Sequence, residues 1–264
     1  MKTREVQVKV STDQHLKQQH RSLRQSFLQH VARSIRAITL ASIASAIAIG
    51  ASAQSPTANL QIPGLPTTSS WRHQPSSASY QNGALTITAG PGSNWFITPV
   101  EGTEELSADS APTLLFPTEA KEFVFSSRIS LDFDSKWDAG ALVVFANDKT
   151  WAKFCFEKDF SGKPMVVSVV TRGHSDDNNH FAVEGHSIWL KIAKLSNGFF
   201  FYTSFDGKSW TIIRNFNLNE GTDYKLGDLR FGFLAQSPEG KSTKVVFDNI
   251  AFQPSRIANP WTGQ

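Results

Sequence analysis

Glu157 is the acid best placed for chemistry in this sequence, because it ends a strand-like stretch in which two kinds of residue alternate. Trp151, Lys153, Cys155 and Glu157 fall on one side of such a strand, and Ala152, Phe154 and Phe156 on the other. Residues 187–194 repeat the arrangement: Ile188, Leu190 and Ile192 form an apolar row and leave Trp189 and Lys191 opposite. Indole beside Lys and Glu suits a sugar, whose apolar ring face rests on the indole while its hydroxyls need polar partners. The opposing reading covers the same face with a loop or a second sheet, making the tryptophans core and the charges rim. Strand phase leaves both open.

A second cluster follows the strand PMVVSVV. The run TRGHSDDNN, residues 171–179, supplies Arg172, His174, Asp176, Asp177, Asn178 and Asn179. As a strand exit it grips a polyol or brings acids toward Glu157; as a solvated turn it merely satisfies its own backbone donors. Glycoside hydrolysis needs two carboxyl groups roughly 5–5.5 Å apart in a retaining enzyme, or about 6.5–9.5 Å in an inverting one. If the chain is an enzyme, Glu157 with Asp176 or Asp177 is the expected catalytic pair. The expected ligand-binding set is Trp151, Lys153, Glu157, Arg172, His174, Asp176, Asp177, Trp189 and Lys191.

No metal or cofactor is expected. The acidic run lacks the spacing of a calcium-binding EF-hand loop, and His73, His174, His180 and His186 form no compact motif. No glycine-rich phosphate loop follows a suitable strand. Cys155, the one cysteine, sits between Phe154 and Phe156 and reads as a packed thiol. Asp206-Gly207 reads as a tight hairpin connection, with Trp210 anchoring its far side.

These residues need strands to position them. In FVFSSRISLDF, residues 123–133, Phe123, Phe125, Ile129, Leu131 and Phe133 share one face, giving a half-buried antiparallel strand. Further strands are expected at 85–88, 139–145, 151–157, 165–172, 187–194, 198–205, 210–216, 228–235 and 244–252. Turn signals separate them, among them Asn82-Gly83 and Asn197-Gly198, and no stretch beyond residue 70 keeps a helical apolar period. The expected fold is all-β, a jelly-roll sandwich of two antiparallel sheets.

The chain has 264 residues with 40% apolar and 19% charged, which excludes a largely disordered or polytopic membrane protein. The net charge of +3 is carried by the first 53 residues, which hold 8 Lys or Arg against 2 acids and leave 18 against 21 elsewhere. Nucleic acid is therefore not an expected partner, since the folded part carries no basic excess. Residues 37–53, AITLASIASAIAIGASA, follow Arg33 and Arg36 and end in Ala-Ser-Ala, as a secretory signal does, although 36 residues precede the run. The expected organisation is a basic head with signal at 1–53, a proline-bearing linker at 54–70, a sandwich at 71–252 and a tail at 253–264. The product is then secreted or periplasmic, with no stable membrane insertion after cleavage; an uncleaved run would tether it.

In order along the chain, WAKFCFE, GKPMVVSVVTRGHSDDNN, FYTSFDGKSW and RFGFLAQSPEG resemble the uncharacterised domain family numbered 1349, also called regulation-of-enolase-like. The resemblance covers about residues 71–252 and implies a concanavalin A-like lectin or glucanase fold. It places the family's recurrent positions on Asp109, Pro112, Trp151, Lys153, Glu157, Arg172, Ser175, Asp176 and Asp177, and it names no reaction. The family's acidic-aromatic stretch is replaced here by Ser93-Asn94-Trp95-Phe96-Ile97-Thr98-Pro99, without the acids. The leading expectation is an exported lectin-like module that binds an oligo- or polysaccharide. A glycoside hydrolase and a non-catalytic protein-interaction domain are the alternatives; the sequence names no protein partner.

Overall fold

Phe123–Leu131 forms a strand in which every odd residue is buried and every even one is half-buried, as its alternation requires. The computed structural model describes residues 60–219 and 224–264; the basic head and the apolar run lie outside the described residues. The strands are β1 (Ser70–His73), β2 (Ser77–Gln81), β3 (Ala84–Ala89), β4 (Trp95–Phe96), β5 (Ala108–Asp109), β6 (Thr113–Pro117), β7 (Phe123–Leu131) and β8 (Ala139–Asn147). They continue with β9 (Thr150–Lys158), β10 (Pro164–Arg172), β11 (His174–Ala182), β12 (Ser187–Leu195), β13 (Gly198–Ser204), β14 (Thr211–Asn217), β15 (Arg230–Gln236) and β16 (Thr243–Gln253).

Two seven-stranded antiparallel sheets result, ordered β1-β6-β15-β8-β9-β10-β11 and β14-β13-β12-β7-β16-β3-β2, with β4 and β5 as a separate ribbon. This is the all-β jelly-roll sandwich expected from the sequence. Between the sheets lies a phenylalanine-rich core: Phe154 of β9 stacks on Phe201 of β13 at 4.6 Å, and Phe125 of β7 meets Phe231 of β15 at 4.8 Å. Burial of such rings, worth about 1.5–3 kcal/mol each, is what closes the sandwich.

Three features depart from the sequence reading. The stretch expected as a linker carries Ile62, which is buried, and Leu60 and Leu65, which pack against the same core. The tail folds back as well: Ile257 is buried and Tyr202 Oη donates to the Pro260 carbonyl at 2.6 Å. Most consequentially, the run 171–179 is no loop. β10 continues to Arg172, the chain reverses at Gly173 with φ +83°, and β11 runs back along β10 as an edge strand, pairing Val169 with Asp177 and Val170 with Asp176. A positive φ there suits glycine, which has no Cβ to clash.

The first sheet is covered on both sides. β8 and β9 are buried at eight consecutive positions each, because the segment carrying β4 and β5 lies over the outer face and forms a second apolar cluster with Trp151, Phe145, Ala141 and Val169.

Candidate functional site

The expected ligand-binding residues divide into three places. Trp151, Lys153 and Glu157 share the outer face of the first sheet, as their phase requires, but that face is closed. Trp151 is 0% exposed, and Trp95 of β4 stacks on it at 4.2 Å with the rings 25° apart, filling the place that a sugar ring would take. Arg72 lies 4.7 Å from the Trp95 ring and is ion-paired to Asp109 of β5, so the covering ribbon is pinned to β1. The placing of Trp151 in the ligand-binding set is thus corrected, and of the two readings that strand phase left open the covered one holds: a covering segment sits on that face.

Lys153 and Glu157, 3% and 4% exposed, belong to a buried polar network built around Gln236 of β15. Lys153 Nζ donates to Gln236 Oε1 at 2.9 Å, and Gln236 Nε2 donates to the Trp137 carbonyl at 2.9 Å and faces Glu157 Oε2 at 3.4 Å. Val169 pairs with both Lys153 and Asp177, which puts those two side chains in one row across the sheet. Burial pushes the Glu157 carboxyl up to about 8; the Lys153 charge opposes this, and Asp177 and Asp159 add to it. Partial burial also raises Asp177, again against the pull of Lys153. A carboxyl that holds its proton at neutral pH is the form a general acid takes, but this one lies under protein.

Asp176 points the other way. Its carboxylate accepts from Arg214 Nη2 of β14 at 2.6 Å, and Arg172 Nη1 donates to the Asn217 carbonyl at 3.1 Å, so the two residues tie β10 and β11 to the edge of the second sheet. Adjacent strand residues face opposite sides, which excludes Asp176 as a partner for Glu157 and leaves Asp177 on the Glu157 face. His174 is exposed at the start of β11.

Trp189 and Lys191 lie on β12, in the other sheet, and face away from the core that Ile188, Leu190 and Ile192 enter. They are therefore on the opposite outer face from Glu157. There they line a cavity of about 480 Å³ with Trp210, Ser126, Asn249 and Gln253. Both indoles are half-buried. Lys191 Nζ sits 3.7 Å from the Trp210 ring centre and donates to the Gly263 carbonyl at 2.7 Å. Burial pushes its ammonium down to about 8.

Local chemistry builds this cavity. The β13–β14 turn is held by Asp206, whose Oδ1 accepts the backbone N–H groups of Lys208 and Ser209 at 2.7 Å each, and these bonds hold its carboxyl well below the usual range. The turn lays Gly207 on the Trp189 ring, where a Cβ would fall 2.8 Å from the indole. Across the cavity the β16 ladder slips between Asp248 and Ala251, with Asn249 at φ +49°, a bulge that turns Asn249 and Ile250 into the wall. Sequence reasoning missed Gln236, whose apolar strand gave no sign of a buried amide, and treated Trp210 as an anchor only.

The family described as "Protein of unknown function (DUF1349)" matches residues 71–255. No curated protein matches the chain. Among solved structures, a functionally unknown protein from Saccharomyces cerevisiae is similar with a TM-score of 0.62 at 22% identity, over 70% of this chain and 95% of that one. The GH43 BlXynB protein from Bacillus licheniformis gives 0.56 at 16% identity over 72% of this chain and 37% of its own. A xylan beta-1,4-xylosidase from Bacillus halodurans C-125 gives 0.53 at 10% identity over 67% and 38%. The chain thus spans little more than a third of those two enzymes, and the likeness shows the fold.

Proposed function

Since the chain belongs to the DUF1349 family, a family defined by its sequence and not by a reaction, we propose from the geometry that its sandwich is a carbohydrate-binding module with its sugar site on the outer face of the second sheet. One observation carries the proposal: Trp189, Trp210 and Lys191 converge on a cavity of about 480 Å³ that also presents a hydroxyl and two amide side chains. That volume lies within the range of about 300–1,000 Å³ usual for small-molecule sites. Indole faces and neutral hydrogen-bonding groups together are what a pyranose or furanose ring needs. The named activity of the xylan beta-1,4-xylosidase supports a carbohydrate context by analogy of fold alone. Export by the apolar run at 37–53 is part of the same proposal, and N-terminal sequencing of the processed protein tests it.

The hydrolase alternative has one observation in its favour, the raised carboxyl of Glu157 with Asp177 on the same face. Against it, Glu157 is 4% exposed while Asp177 is exposed on the edge strand, so the proton-holding carboxyl is not open to a glycosidic bond. Binding is accordingly the better-supported reading. Isothermal titration of the folded protein against a broad glycan panel tests it, with Trp189→Ala and Trp210→Ala as controls. Base–aromatic stacking is worth about 1–3 kcal/mol per contact, and a comparable loss of about 10-fold or more is expected for either variant. Absence of binding across the panel, or binding that both variants retain in full, defeats the proposal.

A further inference from the structure

Ammonium groups taken out of water are ordinarily matched by carboxylates, because the desolvation of an unmatched charge is expensive. Two of the three most buried lysines follow that rule. Lys153 lies in the field of Asp177, and of Glu157 once that carboxyl loses its proton. Lys194 donates to the carbonyls of Lys121 and Ser196 and lies in the field of Glu122. Lys191 is 8% exposed and has a carbonyl oxygen and an indole face for company, and among the described residues no carboxylate is ion-paired to it.

The surroundings reinforce the imbalance. Of the residues lining the cavity, Lys191 is the one that carries a charge. The nearest acid along β16, Asp248, is held by Arg128 Nε at 2.9 Å and Nη2 at 2.6 Å, so its charge is spent. Asp206 accepts from its own turn. An ammonium with three donors, one of them given to Gly263, faces a cavity whose other lining residues are neutral.

Resting on the saccharide reading above, we infer that the cavity selects a sugar that bears a carboxylate, a uronate residue whose ring lies along the indoles and whose carboxylate pairs with Lys191. One buried cation matches one negative charge. A phosphate ester, with about −1.5 to −2 at pH 7, leaves part of its charge unmatched. A neutral sugar leaves Lys191 as unpaired as it is in the free protein.

The test compares acidic oligosaccharides, oligogalacturonate and glucuronoxylo-oligosaccharide, each with its carboxyl-reduced form, which keeps the ring and loses the charge. Titration calorimetry at pH 6.5 and low salt is expected to show at least 10-fold tighter binding of one acidic form over its reduced partner. The preference is expected to disappear in Lys191→Met, which keeps the stem, and in the wild type at pH 9.5, where Lys191 is neutral. Of the charged and titratable groups around it, Lys208 and Asp248 among them, Arg128 is raised by its bonds to Asp248 and keeps its charge through that interval, Asp206 is held ionised by its turn, and Tyr202, pushed up by burial to about 12, keeps its proton. The wild-type comparison needs no variant, so it stands even if Lys191→Met fails to fold. Equal binding of acidic and reduced forms overturns the uronate assignment and leaves the saccharide reading intact. Failure of every form to bind overturns the uronate assignment, and the broad glycan panel then decides the saccharide reading.

Discussion

Replacing Glu157 with glutamine preserves the shape of the side chain and deletes its ionisation, which isolates what burial does to that carboxyl. In the unfolded chain the group titrates at its ordinary value of 4.5, and in the folded protein burial raises it to about 8. Between those two pH values the native state holds a proton that the unfolded state has released. Stability from this group is therefore complete below pH 4.5 and declines as pH rises toward 8, the sign expected for a raised acid. At about 1.4 kcal/mol per pH unit the interval sets a ceiling on the order of 5 kcal/mol. The glutamine variant lacks the decline. It is expected to match the wild type within about 1 kcal/mol near pH 4 and to become steadily more stable than it up to pH 8, after which the difference levels off. Urea denaturation of both proteins from pH 4 to pH 9 measures this directly. Asp177, shifted up, and His180, shifted down, bend the individual profiles in opposite directions, but they are common to both proteins and cancel to first order in the difference. Parallel profiles would show that Glu157 ionises normally and that water reaches it, which would also reopen that face as a ligand site.

Other substitutions probe the remaining parts of the argument. Lys153→Met removes the charge that opposes protonation of Glu157 and is expected to move the Glu157 titration above 8, read by carboxyl NMR; a downward move refutes the network. Trp95→Ala strips the cover from Trp151 and is expected to cost about 3–5 kcal/mol in denaturation, as loss of a buried aromatic does, whereas a loss under about 1 kcal/mol would mean the ribbon is not anchored there. Gly207→Ala places a methyl group 2.8 Å from the Trp189 ring at φ +72°, so a loss of about 1–3 kcal/mol in stability is expected together with weaker saccharide binding. Unchanged affinity in that variant would separate Trp189 from the ligand.

The architecture was legible because alternation survives wherever one face of a strand is wet. Phe123–Leu131 states its own phase, and Asn82-Gly83 states its turn, with both residues at positive φ between β2 and β3. Phase alone left exposure open, and the nomination of Trp151 as a ligand contact is what failed. The run AGALVVFA in β8 is apolar on both faces, the mark of a strand buried twice, and it lies beside β9. Taken together with its neighbour, it shows that the Trp151 face has a cover. The strand β11 was hidden for a different reason: His174-Ser175-Asp176-Asp177-Asn178-Asn179 has low strand propensity, and its eight pairs with β10 hold it extended. Reading it as a loop merged Asp176 and Asp177 into one candidate, when strand pairing sends them to opposite sides.

A sandwich has two outer faces, and this chain treats them differently. The ribbon at 95–109 is held on either side of β4 by Ser93 bridging Ser237 and by the Ser175 N–H donating to the Ile97 carbonyl at 2.9 Å, and at its far end by the ion pair of Asp109 with Arg72 of β1, and a face fixed at such points stays shut without a ligand. The second sheet is covered by the chain beyond β16, which reaches Lys191 through the Gly263 carbonyl and Tyr202 through that of Pro260, while the bulge at Asn249 prevents β16 from filling the space beside it. Apolar stacking surface and an unmatched cation are left together where the covering stops. Of the nine residues that the sequence nominated, Trp189 and Lys191 keep access to a cavity because they stand beside a ladder defect, which no alternation pattern reports.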